Sequence, residues 1–105
     1  MLVVIQNEEV DYLLDKLKRE VHPDVPPDPA IDIAVMQLLS KKLEKDITKP
    51  KNRDEEISPL INHILKRLPL IEFSLIDGIA ISVVSRKTIF LEITYAFDKH
   101  GSTQR

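Results

Sequence analysis

Two carboxylates near the end of the chain have the residue types and the spacing for metal chemistry. Asp77 lies in IDGIAI, and Glu92 lies in IFLEIT, 15 positions later. If the two segments are neighbouring β-strands, both side chains point to the same face of a sheet. Carboxylates held side by side bind metal ions. Asp77 and Glu92 are therefore either a candidate metal pair or two acids that keep an ordinary hairpin soluble.

The segment that contains these acids resembles the core of the PD-(D/E)xK nuclease family, a helix followed by a three-stranded meander. In that family an acid opens the second strand, and a Glu-x-Lys motif lies within the third. LIDGIAI and IFLEIT are similar to these two elements, and ISPLINHILKRLP takes the place of the helix. The resemblance covers residues 56–97.

The resemblance implies a metal-dependent nuclease that acts on nucleic acid, in a degenerate or truncated form. Asp77 and Glu92 would hold Mg²⁺, which would activate water against a phosphodiester. Thr94 stands where the family has its lysine, so the implied catalytic set is Asp77, Glu92 and Thr94.

The composition argues against several other kinds of chemistry. The chain has no cysteine, which excludes disulfides and thiolate ligands and suits a reducing compartment. Its two glycines exclude a glycine-rich phosphate loop. Its net charge of −2 argues against a general binder of polyanions. We see neither a secretion signal nor an apolar run of about 20 residues that would cross a membrane, and we expect a cytoplasmic protein.

The first two-thirds of the chain predict three helices. Asn7 caps the first, whose apolar stripe recurs at helical spacing in Val10, Leu13, Leu14, Leu17 and Val21. The segment VHPDVPPDP has four prolines in nine residues and predicts an extended connector. Asp28 and Pro29 then begin the second helix, which runs to Leu43.

The second helix is apolar around nearly its whole circumference in its first half. Such a helix is buried on more than one side, so it is either the central core helix or half of a subunit interface. The segment EKDITKPKNRDEE, residues 44–56, has nine charged residues and predicts a solvated, mobile loop. Ser58 and Pro59 begin the third helix, which ends at Pro69.

The remaining residues alternate with the two-residue period of β-strands. LIEFSLI, IAISVVS and TIFLEITYAF predict three strands, and Asp77-Gly78 predicts the first hairpin turn. Pairing Val84 with Ile89 places Ala80 and Ser82 on the core face. The opposite face then carries Ile81, Val83 and Phe90, and exposed apolar surface of that kind marks an interface.

These patterns predict a single α+β domain over residues 1–105, with three helices packed on one face of a three-stranded antiparallel β-meander. The helical part is 7–68, the meander 70–97 and a flexible tail 98–105; LVVIQ could add an edge strand. We expect a small intracellular interaction module that needs no cofactor and acts through homodimerisation or a protein partner. The predicted interface residues are Ile33, Met36, Ile81, Val83 and Phe90. The alternative is the nuclease-like domain, with Mg²⁺ and nucleic acid.

Overall fold

The structure, a computed structural model, describes residues 1–24, 28–49, 54–68 and 75–96. Within these ranges it contains three helices and three strands, so the predicted α+β class is confirmed. Their bounds in chain order are β1 Leu2–Gln6, α1 Glu9–Val21, α2 Pro29–Thr48, α3 Ser58–Arg67, β2 Ile76–Val83 and β3 Thr88–Tyr95.

The strands form one antiparallel sheet in the order β1-β3-β2. The prediction of a simple meander is wrong, because the first strand of the chain pairs with the last. LVVIQ therefore forms one edge of the sheet beside β3. Most of the predicted strand LIEFSLI lies outside the described residues, which resume at Leu75.

The dipeptide Asp77-Gly78 does not form a hairpin turn. It lies inside β2, where the pairing is irregular between Ile76, opposite Tyr95, and Gly78, opposite Thr94. No glycine among the described residues has the positive φ that a type I′ turn requires. The hairpin turn instead follows Val83, and Val84 N donates a hydrogen bond to the Thr88 carbonyl over 3.0 Å.

The register of β2 against β3 differs by one residue from the prediction, because Val83 and not Val84 lies opposite Ile89. A shift of one residue turns every side chain of a strand to the other face. Ile81 and Val83 are therefore buried, whereas Ala80, Ser82 and Val84 are exposed.

The predicted cap Asp28 begins α2, whereas the cap position of α1 is Glu8, whose side chain makes no capping hydrogen bond. The predicted cap Asn7 lies one residue earlier. The Asn7 side chain accepts a hydrogen bond from Glu9 N over 2.7 Å, and the Asp28 side chain accepts one from Ala30 N over 2.9 Å. The third helix differs from the prediction because Asp54, and not Ser58, caps the turn that leads into it. The Asp54 carboxylate accepts from Glu56 N over 2.9 Å.

Helix α2 extends to Thr48, five residues beyond the predicted end at Leu43. Asp46 and Ile47 are buried although the charge pattern predicted a solvated loop. The Asp46 carboxylate accepts a hydrogen bond from Asp54 N over 2.9 Å, which gives the charged group an internal partner. Residues 50–53 of that predicted loop, residues 25–27 of the proline-rich connector and the predicted tail 98–105 lie outside the described residues.

Helix α2 is the central helix of the described structure. It packs against α1, α3 and β2, which explains why its apolar residues are not confined to a single stripe. Of the helices described, none combines the length and the hydropathy that crossing a membrane requires. One hydrophobic core joins the helices to one face of the sheet; its members include Ile5, Val10, Leu13, Leu17, Val35, Leu39, Leu43, Leu60, Ile61, Ile64, Ile81, Val83, Ile89 and Leu91.

Candidate functional site

The face of the sheet opposite the core is partly apolar, and no described part of the chain covers it. We call it the outer face; its residues, all exposed, are Leu2, Val4, Gln6, Ala80, Ser82, Phe90, Glu92 and Thr94. They alternate with buried residues because successive side chains of a strand point to opposite faces.

The apolar residues of the outer face lie next to one another across the strands. Val4 is opposite Phe90, and Phe90 is opposite Ser82. Leu2, Val4 and Phe90 expose 60%, 46% and 37% of their surface. Directly opposed side chains on neighbouring strands are in contact range. Val4 and Phe90 therefore form a continuous apolar row, with Leu2 beside it.

Strand β1 is an edge of the sheet, so half of its backbone groups point away from β3. Asn7 N donates to the Lys87 carbonyl over 2.9 Å, and Ile93 N donates to the Met1 carbonyl over 2.8 Å. The odd-numbered residues of β1 therefore bond to β3, because hydrogen-bonded and non-bonded pairs alternate in an antiparallel ladder. The N–H and C=O groups of Leu2, Val4 and Gln6 face the open edge.

The other edge, strand β2, is partly covered. Val83 N donates a hydrogen bond of 2.9 Å to the Ser40 hydroxyl of α2. A groove of about 460 Å³ lies between α2 and the end of β2, lined on the helix side by Gln37, Ser40, Lys41 and Glu44. The irregular pairing at Asp77 disturbs the other end of this strand. Proteins protect edge strands by such irregularities and by covering them.

The five predicted interface residues do not form one surface. Ile81 and Val83 are 4% and 7% exposed and belong to the core, so their predicted position on the Phe90 face is wrong. Phe90 lies on the outer face. Ile33 is exposed and Met36 is half-buried on α2, the helix that packs against β2. A role of Ile33, Met36 or Phe90 in binding a partner stays a prediction.

Sequence reasoning gave Leu2 and Val4 no functional role. The signal that could have found them is the uncharged, β-branched run LVVIQ, which is typical of a strand. The face that Leu2 and Val4 occupy depends on pairing with β3, more than eighty residues away in the chain.

Asp77 and Glu92 lie at different levels of the sheet. Glu92 is opposite Ala80, three positions along β2 from Asp77, which corresponds to about 10 Å along the strand. Thr94 is exposed and lies opposite Gly78. Within the described ranges, no group of three or more His, Cys, Asp or Glu side chains is placed to hold a metal ion. The nuclease-like interpretation stays a prediction.

A clamp of charged side chains joins the hairpin turn to α1. The Arg86 guanidinium makes ion pairs with Asp15 and Asp11, which lie one helical turn apart. Hydrogen bonds to these two carboxylates raise the pKa of Arg86 above its ordinary value. The Arg86 side chain is 43% exposed, and the ion pairs hold the hairpin turn against α1.

Comparison of the chain with family models, with curated proteins and with solved structures finds no match. The arrangement of the side chains is therefore the basis for any functional proposal.

Proposed function

We propose that this chain is a small interaction module that forms a homodimer through its sheet, with the apolar residues of the outer face at the contact or beside it. The observation that carries the proposal is the apolar row of Val4 and Phe90, with Leu2 beside it, on the side of the sheet away from the hydrophobic core. We take the helices to cover the other face, as expected for a domain of two layers. The lack of cysteine suits the cytoplasmic location that we propose with it.

The energetics favour burial of this row. Removing apolar surface from water contributes roughly 25 cal/mol per Å² before the cost of association is subtracted. Among the outer-face residues Glu92 alone is charged, and it lies beside Leu2, outside the row of Val4 and Phe90. Burial of the central row therefore requires no charge to be desolvated, which is the usual character of the centre of an interface.

Binding of a different protein through the same face is the other form of this proposal. The self-associating form is favoured because the row itself is uncharged, so that two copies meet without like-charge repulsion. It also has the simpler test, since purified protein suffices.

Size-exclusion chromatography with light scattering on the full chain, over a range of micromolar concentrations, tests the proposal. We expect a dimer for the natural sequence and a monomer for Val4→Lys, because the new charge would be buried at the contact or would face its own copy there. Ile33→Lys is the matched control, since Ile33 is an exposed apolar residue of α2.

Each alternative result has a definite meaning. A natural chain that is monomeric at every concentration contradicts the homodimer. A dimer that survives Val4→Lys but dissociates in Ile33→Lys moves the interface from the sheet to α2.

A further inference from the structure

We propose that the second copy joins the sheet at the edge of β1, antiparallel to it, with the twofold axis at Val4. This inference rests on the proposed homodimer and specifies its contact as edge to edge: the second copy extends the row at Val4, while Phe90 stays on the uncovered face. The two three-stranded sheets then become one continuous sheet, with the two copies of β1 at its centre.

The backbone of β1 has the geometry for this pairing. The N–H and C=O groups of Leu2, Val4 and Gln6 face the open edge, as the hydrogen bonds of Asn7 and Ile93 to the neighbouring strands require. With the axis at Val4, each Val4 exchanges two hydrogen bonds with Val4 of the second copy. Leu2 likewise exchanges two with Gln6 of the second copy. Every outward backbone group of β1 thereby gains a partner.

The side chains of β1 are complementary to themselves in this register. On the outer face, the row of Phe90 and Val4 continues directly into Val4 and Phe90 of the second copy. On the core side, the half-buried Val3 lies beside Ile5 of the second copy. Such a contact, with the same residues on both sides, is the isologous type that twofold dimers require.

The charges also favour a second copy as the occupant. Residues Leu2–Gln6 include no charged residue and no proline, the two devices that usually block an edge strand. Glu92 lies opposite Leu2, and in the proposed register its row continues into Gln6 of the second copy. The two Glu92 side chains therefore do not meet, and no like charges face each other.

The alternative edge is less suited to the same pairing. Strand β2 has its Val83 N–H bonded to Ser40 of α2 and an irregular ladder at Asp77. A strand added there would compete with α2 for the Val83 N–H. Strand β1 is the regular edge of the two, and no described residue donates to or accepts from its outward backbone groups.

The pairing should be concentration-dependent and of moderate affinity. Edge-to-edge contact of strands five residues long buries less than the standard interface of about 1,200–2,000 Å². Dilution should therefore dissociate the dimer. For this reason, disulfide crosslinking is a better test of the register than a measurement of affinity alone.

The chain has no cysteine, so a single introduced thiol reports its own position. Hydrogen-bonded antiparallel pairs have Cα atoms about 5.5 Å apart, within the range of about 4.4–6.8 Å that a disulfide spans. We expect Val4→Cys to form a disulfide-linked dimer under mild oxidation. Leu2→Cys should not, because two Leu2 residues would lie about 13 Å apart, four positions along the strand.

Two further samples make the test specific. Val84→Cys is the matched control, since Val84 is the same residue type as Val4 with the same exposure of 46%. A mixture of Leu2→Cys and Gln6→Cys chains should give the mixed disulfide, because these positions are opposite each other in the proposed register. Circular dichroism of the reduced protein shows whether Val4→Cys folds. If it does not, the mixture alone tests the proposed register.

The expected result is rapid crosslinking of Val4→Cys and of the mixture, with slow crosslinking of Leu2→Cys and Val84→Cys. If the natural chain is dimeric but all samples crosslink at equal rates, the β1 pairing is wrong and the proposed homodimer stands. A natural chain that stays monomeric, without crosslinking at Val4, overturns both.

Discussion

The Ser40 hydroxyl connects α2 to the edge strand β2. It accepts a hydrogen bond from Val83 N over 2.9 Å and donates one to the Met36 carbonyl over 2.7 Å. Both Ser40 and Val83 are buried. One hydroxyl thus satisfies a backbone donor that the sheet leaves without a neighbouring strand, and it fixes the distance between the helix and the sheet edge.

Ser40→Ala should lower the free energy of unfolding by about 1–3 kcal/mol, because it leaves a buried N–H without its acceptor. Urea unfolding measures this loss. Ser82→Ala, in the same strand but on the exposed outer face, is the control and should change the stability by less than about 0.5 kcal/mol. Equal effects of the two variants would contradict the structural role of Ser40.

Asp46 connects the end of α2 to the segment that precedes α3. It is 5% exposed, and its carboxylate accepts the Asp54 N–H over 2.9 Å. Asp46→Ala should destabilise the protein by about 1.5–3 kcal/mol, the range for hydrogen bonds to charged groups. Asp46→Asn keeps an acceptor oxygen and should recover part of that loss. If both variants unfold at the same urea concentration as the natural chain, this hydrogen bond does not contribute to stability.

The clamp of Arg86 on α1 should contribute modestly and depend on salt. On the alkaline side, its raised pKa keeps the contribution complete up to the ordinary arginine value, and the contribution is lost as the pH rises beyond that value. The Arg86 side chain is 43% exposed, so Arg86→Gln should cost at most about 1 kcal/mol.

Urea unfolding at low and high salt checks the expectation for Arg86. The difference between Arg86→Gln and the natural chain should shrink at high salt, where exposed charges are screened. Lys87→Gln, in the same turn, removes a charge outside the clamp and controls for net charge. A difference for Arg86→Gln that does not depend on salt would indicate lost packing in place of lost charge.

The sequence predicted the helices well because their signals are local. The apolar spacing of Val10, Leu13 and Leu17 predicts the buried side of α1, and Asp28-Pro29 predicts the start of α2. The end of α2 was missed because Asp46 looks like a loop residue until its hydrogen bond to Asp54 is known.

The sheet was predicted less well because its pairing is not local. Asp77-Gly78 is a strong hairpin signal in isolation, but the pairing of β2 with β3 continues past it to Ile76. The position of β1 depends on residues at the other end of the chain. For the candidate site, the alternation within β3 correctly placed Phe90, Glu92 and Thr94 on one face. The residues beside Phe90 on the neighbouring strands could not be identified without the register.

The register of the structure predicts that two apolar residues differ strongly in their contribution to stability: Ile81 in β2 and Val84 directly after it. Ile81→Ala should cost about 2–5 kcal/mol because Ile81 is buried in the core. Val84→Ala should change the stability by less than about 0.5 kcal/mol because Val84 is exposed. Chemical unfolding of both variants is the measurement. If the register predicted from the sequence were correct, Val84 would lie on the core face, and Val84→Ala would cost more stability than Ile81→Ala.

The separation of Asp77 and Glu92 predicts the response of the protein to divalent cations. An ion that binds the native state, present at a concentration of 100 times its Kd, raises the free energy of unfolding by about 2.7 kcal/mol. Because the two acids are about 10 Å apart along the strand, we expect millimolar Mg²⁺ or Mn²⁺ to leave the Tm unchanged. The Tm of Glu92→Ala should likewise not change when the cation is added. Glu20→Ala, on α1, is the control. A rise in Tm that Glu92→Ala abolishes and Glu20→Ala retains, together with metal-dependent cleavage of DNA or RNA, would favour the nuclease over the interaction module.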